Sequence, residues 1–125
     1  MITNVLRANA ASCLGFGALF VAASGPVASF LGTPPPWAVA ALGTVLLLNG
    51  AHLLWAARRG ARRGELLYFA LGDGGWVAGT LLLVLTGTWI TTTAGVVAAL
   101  AVAVPVGVFG GLQWRAIRPQ PASAG

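Results

Sequence analysis

Arg58-Arg59-Gly60-Ala61-Arg62-Arg63-Gly64-Glu65 is the one dense run of charge in this chain. An apolar stretch from Trp37 to Ala57 precedes it, and a second, from Leu66 to Leu85, follows it. Further out, Gly32-Thr33-Pro34-Pro35-Pro36 separates Trp37 from an earlier apolar run, Ala8 to Phe30. Three consecutive prolines cannot continue an α-helix, because each lacks an N–H and crowds the preceding turn. Thr86-Gly87-Thr88-Trp89 leads from the third run to a fourth, Thr93 to Trp114. Each run is long enough to cross the hydrocarbon core of a bilayer, which takes about 20 helical residues. The expected fold is all-α: an integral membrane four-helix transmembrane bundle with spans at 8–30, 37–57, 66–85 and 93–114. Residues 1–118 form its single domain, and 119–125 are expected to be a disordered tail.

Composition supports that reading. Of the 125 residues, 58% are hydrophobic and 7% charged. Soluble domains are about 25% charged, so a water-exposed surface could not be covered here. Intrinsic disorder is excluded by the apolar content. The net charge of +5 comes from seven arginines against Glu65 and Asp73, with no lysine. Arginine without lysine, beside abundant Ala, Gly and Val, fits a GC-rich bacterial source. A basic balance can signal nucleic acid, but these arginines flank apolar spans. Membrane topology and anionic lipid are the expected reading instead, with no nucleic-acid partner.

The arginines also orient the chain. Arg7 precedes span one. Arg58, Arg59, Arg62 and Arg63 fill the loop between spans two and three, and Arg115 and Arg118 follow span four. The other two loops carry no charge. All seven therefore fall on one side, which the positive-inside rule makes cytoplasmic, with both termini inside. Trp37 and Trp89 mark the outer interface; Trp55, Tyr68 and Trp114 mark the inner one. The expected location is the bacterial inner (plasma) membrane, multi-pass, with Arg58, Arg59, Arg62 and Arg63 contacting anionic lipid. A competing reading treats Met1 to Arg7 as a signal n-region with cleavage after Val21-Ala22-Ala23. The apolar run continues past Ala23, which favours an uncleaved span.

Span four carries Gly95, Ala99, Ala103, Gly107 and Gly111 at spacing four, and span three carries Gly75 and Gly79. Small-residue stripes let membrane helices approach closely; packing within the bundle is the expected use, with a dimer contact as the alternative. Pro105 sits mid-span and should bend span four.

Polar side chains inside spans are costly and mark candidate functional positions. They are Asn9, Asn49, His52, Asp73 and Gln113, at least one on every span and all toward the arginine end. In a bundle they would form one layer. Asn49 and His52 are three apart and share a face. Asp73 lies in Leu71-Gly72-Asp73-Gly74-Gly75. It is either the cap of a helix beginning near Gly74 or a buried carboxylate paired with His52 or Arg7. Spans two and three are joined by a short loop, so His52 and Asp73 are expected to be coupled neighbours. The single cysteine, Cys13, excludes an intramolecular disulfide.

No nucleophile–base pair, phosphate loop or dinucleotide fingerprint occurs. The chain is therefore expected to be no enzyme, with no catalytic residue, no cofactor-binding residue, no metal site and no cofactor. The pattern Leu6-Arg7-Ala8-Asn9-Ala10, then Gly15, Asp73-x-x-Trp76-Val77 and Gln113 resembles a group of small four-span bacterial integral membrane proteins of unknown function. That resemblance implies a four-helix membrane bundle and supplies no activity. The expected role is a structural or accessory partner of another membrane system, working with a homodimer mate or another membrane protein. The alternatives are a small oligomeric transporter or channel, and a redox accessory binding quinone, lipid or haem.

Overall fold

The computed structural model describes residues 2–117; Arg118 and the expected tail at 119–125 lie outside them. The described residues form five helices: α1 (Ile2–Ala22), α2 (Ser24–Leu31), α3 (Pro36–Arg59), α4 (Arg63–Thr86) and α5 (Thr93–Ile117). Four of them, α1, α3, α4 and α5, are long and apolar enough to cross a membrane.

The first apolar run is thus two helices. Ala23 breaks it, with φ −127° and ψ 41°. The cause is Pro26, which has no N–H to offer the carbonyl of Ala22 and whose ring crowds that turn. The ladder holds on either side, through Ala23 N–H to Leu19 O at 2.8 Å and Val27 N–H to Ala23 O at 2.9 Å. α3 starts at Pro36, where a missing N–H costs nothing. α4 starts at Arg63, ahead of the apolar run, because the Glu65 carboxylate accepts the Arg62 backbone N–H at 3.0 Å. α4 then continues through the glycines around Asp73. Asp73 is therefore a mid-helix residue, and the expectation of a helix beginning near Gly74 is corrected.

α1 packs along α3, α4 along α5, and α1 also meets α5. The α1–α3 contact is the tightest. A Cβ on Gly17 would lie 2.9 Å from the Gly43 carbonyl oxygen, and one on Gly43 would lie 2.8 Å from that of Gly17. The two backbones touch, as small residues permit between membrane helices. The expected stripe on α5 does not act as a unit. Gly95 and Ala103 are buried, whereas Gly107 and Gly111 are exposed. Four residues turn a helix by about 400°, so each rung drifts about 40° and the stripe winds off the contact face. The buried line is instead Ala103, Val106, Gly110 and Gln113.

Each end of the bundle is closed differently. At the end carrying Arg7, Arg58, Arg59, Arg62, Arg63 and Arg115, an apolar core joins Leu6 and Ala10 of α1, Leu53 and Ala56 of α3, and Leu66 and Phe69 of α4. At the uncharged end the two loops are stitched together. Thr33 N–H bonds Trp89 O at 3.0 Å, Thr91 N–H bonds Leu31 O at 2.9 Å, and Gly32 bridges Ile90. Gly32 is obligatory there: its φ is 137°, and a Cβ would fall on the Thr91 hydroxyl.

Candidate functional site

The polar residues of the spans separate into two groups. The first is a closed ring between three helices. Asn9 Nδ2 donates to Asp73 Oδ2 at 2.9 Å and to Gln113 Oε1 at 3.1 Å, and Gln113 Nε2 donates to Asp73 Oδ2 at 2.7 Å. Both N–H groups of the Asn9 amide are thereby used. Asn9, Asp73 and Gln113 are 1%, 6% and 0% exposed. The ring extends through sulfur to the fourth span. Cys13 Sγ donates to Asn9 Oδ1 at 3.6 Å, and Asn49 Nδ2 donates to Cys13 Sγ at 3.5 Å. Asn49, Cys13, Asn9, Asp73 and Gln113 thus form one chain of contacts across α3, α1, α4 and α5.

Helix periodicity sets up this meeting. In α1, Leu6, Asn9, Ala10, Cys13 and Gly17 are buried on one face. In α4 the same spacing buries Leu66, Phe69, Ala70 and Asp73. On α5, Gly110 sits directly against Asp73: a Cβ there would be 3.1 Å from the Asp73 Cβ. Absence of a side chain at 110 is what lets the carboxylate reach Gln113. Sequence reasoning passed over Cys13, because a lone cysteine in an apolar run reads as a small hydrophobe. Its position four residues after Asn9 was the available signal.

His52 belongs to the second group, at the basic end. Its Nε2 lies 2.7 Å from Glu65 Oε2, and Arg59 bonds the same oxygen. The expected pairing of His52 with Asp73 does not form, and Arg7 does not pair with Asp73 either. Asn49 and His52 share α3 but point to different neighbours, Asn49 to α1 and His52 to α4. Aromatic rings surround the imidazole: Phe69 edge-on at 4.9 Å, Tyr68 at 5.8 Å and Trp55 at 6.1 Å. The Arg59 guanidinium stacks 4.0 Å from the Trp55 ring centroid, a cation–π geometry. Glu65 precedes the apolar run that begins at Leu66. The Arg59 hydrogen bond, then those from Arg62 N–H and His52, push its carboxyl down to about 2. All four loop arginines are exposed; Arg59 is held by Glu65, while Arg58, Arg62 and Arg63 make no ion pair among the described residues.

Beyond the ring, toward the uncharged end, the bundle is hollow. A half-open cavity of about 630 Å³ lies between α1–α2–α3 on one side and α4–α5 on the other. Its wall is almost wholly apolar, from Phe16 and Phe20 of α1 to Gly79 and Leu83 of α4. Trp76 stands on this wall, and its indole N–H is buried with no acceptor among the described residues.

Among the described residues no cluster of His, Cys, Asp or Glu could hold a metal ion. No protein-family model, curated protein or solved structure matches the chain, so its own residues carry the functional reading.

Proposed function

We propose that this chain is a non-enzymatic, multi-pass protein of a bacterial inner membrane, with both termini cytoplasmic, serving as a structural or accessory partner of another membrane system. The observation that supports this is the use to which the interior polar groups are put. Asn49, Cys13, Asn9, Asp73 and Gln113 are bonded to one another across four helices. Such an arrangement holds spans together. Arg58, Arg62 and Arg63 project from the basic end and suit anionic headgroups, each worth about 1 kcal/mol near the surface. Reporter fusions after Gly64 and after Pro36 test the orientation: the first should read cytoplasmic and the second periplasmic.

One observation favours the rival class, a small oligomeric transporter. Asp73 is a carboxylate within an apolar span with no cationic partner among the described residues, and such groups often serve ion or proton pathways. Proteoliposomes holding a pH-sensitive dye separate the two. The accessory reading expects the same slow leak from wild type and Asp73→Asn. A proton flux present in wild type and lost in Asp73→Asn would replace it with transport.

A further inference from the structure

We infer that the cavity at the uncharged end is a binding site for one acyl chain of a membrane phospholipid, entering sideways between α3 and α4. The inference rests on the bundle lying in a bilayer and not on the accessory role.

The opening follows from the packing. α1 closes against α3 and against α5, and α4 against α5, whereas α3 and α4 make no comparable backbone approach. They meet at the basic end, through His52, Glu65 and Phe69. Away from that clasp they part, and the cavity walls come from both: Val39 and Leu42 of α3, Gly79 and Leu83 of α4. The seam between them faces lipid. The two ends are shut, by the buried ring on one side and by the Gly32–Ile90 stitch on the other. A lateral path is what remains.

Size and charge select the occupant. Along α4 the cavity runs from Gly75 to Leu83, about 12 Å of helix rise. One leaflet of hydrocarbon is about 15 Å deep, so the cavity matches the reach of a chain from the nearer leaflet. A membrane-crossing helix from a second copy is about 30 Å long and cannot lie in a cavity about 12 Å long that the ring and the stitch shut at both ends. No charged residue lines the cavity or its two loops, so an anionic headgroup gains nothing there. Apolar cavities far smaller than this remain dry and take up apolar ligands. Gly75 and Gly79 leave the wall open, since a Cβ on either would meet nothing within 4 Å.

The test is native mass spectrometry after reconstitution in vesicles of phosphatidylcholine with an equal share of phosphatidylglycerol, followed by detergent washing. Wild type should retain one phospholipid per chain, with no preference for the glycerol headgroup. Gly79→Phe fills the cavity and should lose that lipid. Gly72→Phe adds the same ring on the same helix outside the cavity, where glycine also has no neighbour, and should keep it. Circular dichroism checks that both variants retain helix. Should Gly79→Phe fail to fold, the wild-type stoichiometry and headgroup preference still decide. No retained lipid, retention unchanged in a folded Gly79→Phe, or retention of phosphatidylglycerol alone would each overturn the inference. The last result would assign the bound lipid to Arg58, Arg62 and Arg63 instead.

Discussion

The two halves of the bundle contrast. Near the arginines, side chains from three helices meet in a ring of buried amides and a carboxylate, linked through Cys13 to the fourth span, above an apolar core. Toward the uncharged loops the same helices enclose a cavity of about 630 Å³. The difference lies in what each half uses as glue. Between membrane helices there is no hydrophobic drive to close a gap, because lipid tails are as apolar as leucine. Directional bonds pull the first half shut. The second is held at its rim by the loop stitch, along α1–α3 by the contact of Gly17 with Gly43, and by α5 against α2 at Gly95 and Leu31. Closure follows hydrogen bonds and backbone contact here, and apolar bulk alone does not produce it.

Substitutions can break or sharpen this contrast. The largest effect is expected at Asn9. Asn9→Leu removes two donors from buried acceptors on other helices, and leaving a charged group short of its partner costs about 2–3 kcal/mol. Unfolding from micelles by a denaturing detergent reads the loss. A cost under about 0.5 kcal/mol would show that the ring is not what closes this half. In the same assay an Asn9–Asp73 double-mutant cycle should give clear coupling and a His52–Asp73 cycle none.

Gly32→Ala comes next. It forces a side chain onto a residue with φ 137° that abuts Thr91, with strain of about 1–3 kcal/mol. Backbone hydrogen exchange should quicken at Thr33 and Thr91, whose amides make the stitch, and remain unchanged around Asp73. Acceleration in both halves would mean that they are not independent.

In the hollow half, Gly79→Ala should be harmless or stabilise by about 0.5 kcal/mol, through reduced backbone freedom, because nothing stands within 4 Å of the added methyl. Gly43→Ala, on the α1–α3 contact, should destabilise by about 1–3 kcal/mol through overpacking. Equal responses would erase the distinction.

The smallest effect concerns the clasp at the basic end. The folded carboxyl of Glu65 is held near 2, chiefly by Arg59, below the ordinary value of about 4.3. A lowered value means that the clasp contributes fully above the ordinary value and fades as pH falls toward 2. Arg59 lies over Trp55, so fluorescence assigned to Trp55 by difference from Trp55→Phe should hold steady down the window and change as the folded carboxyl takes its proton near pH 2. A response that stays flat through about pH 2 would show that Arg59 does not depend on Glu65.

Much of the fold was legible in the sequence, because apolar run length, prolines and the arginine loop are one-dimensional signals. The polar layer was legible as a set, since Asn9, Asp73 and Gln113 have few polar companions in the spans. Their pairing was not. Which residues touch depends on the rotation of each helix about its axis and on which helices adjoin. His52 and Asp73 were expected to meet because α3 and α4 are consecutive. α3 instead closes on α1, drawn by Gly17, Gly43 and Gly50, and Asp73 faces α1 and α5. Those glycines went unread because the most regular ladder stood on α5, where regularity at spacing four winds away from the contact. The cavity left no trace in the sequence, since Leu, Phe and Gly line a void and fill a core alike.

The ring has a consequence for the order of synthesis. Asn9 emerges first and Gln113 last, with 40 positions between Asp73 and Gln113. At roughly 5–20 residues per second, Asp73 precedes its final donor by about 2–8 seconds. Through that interval the third span must enter the bilayer with its carboxylate bonded to Asn9 alone. The polar lock is therefore closed by the last helix to arrive, and a chain halted before Gln113 would leave the carboxylate short of a partner.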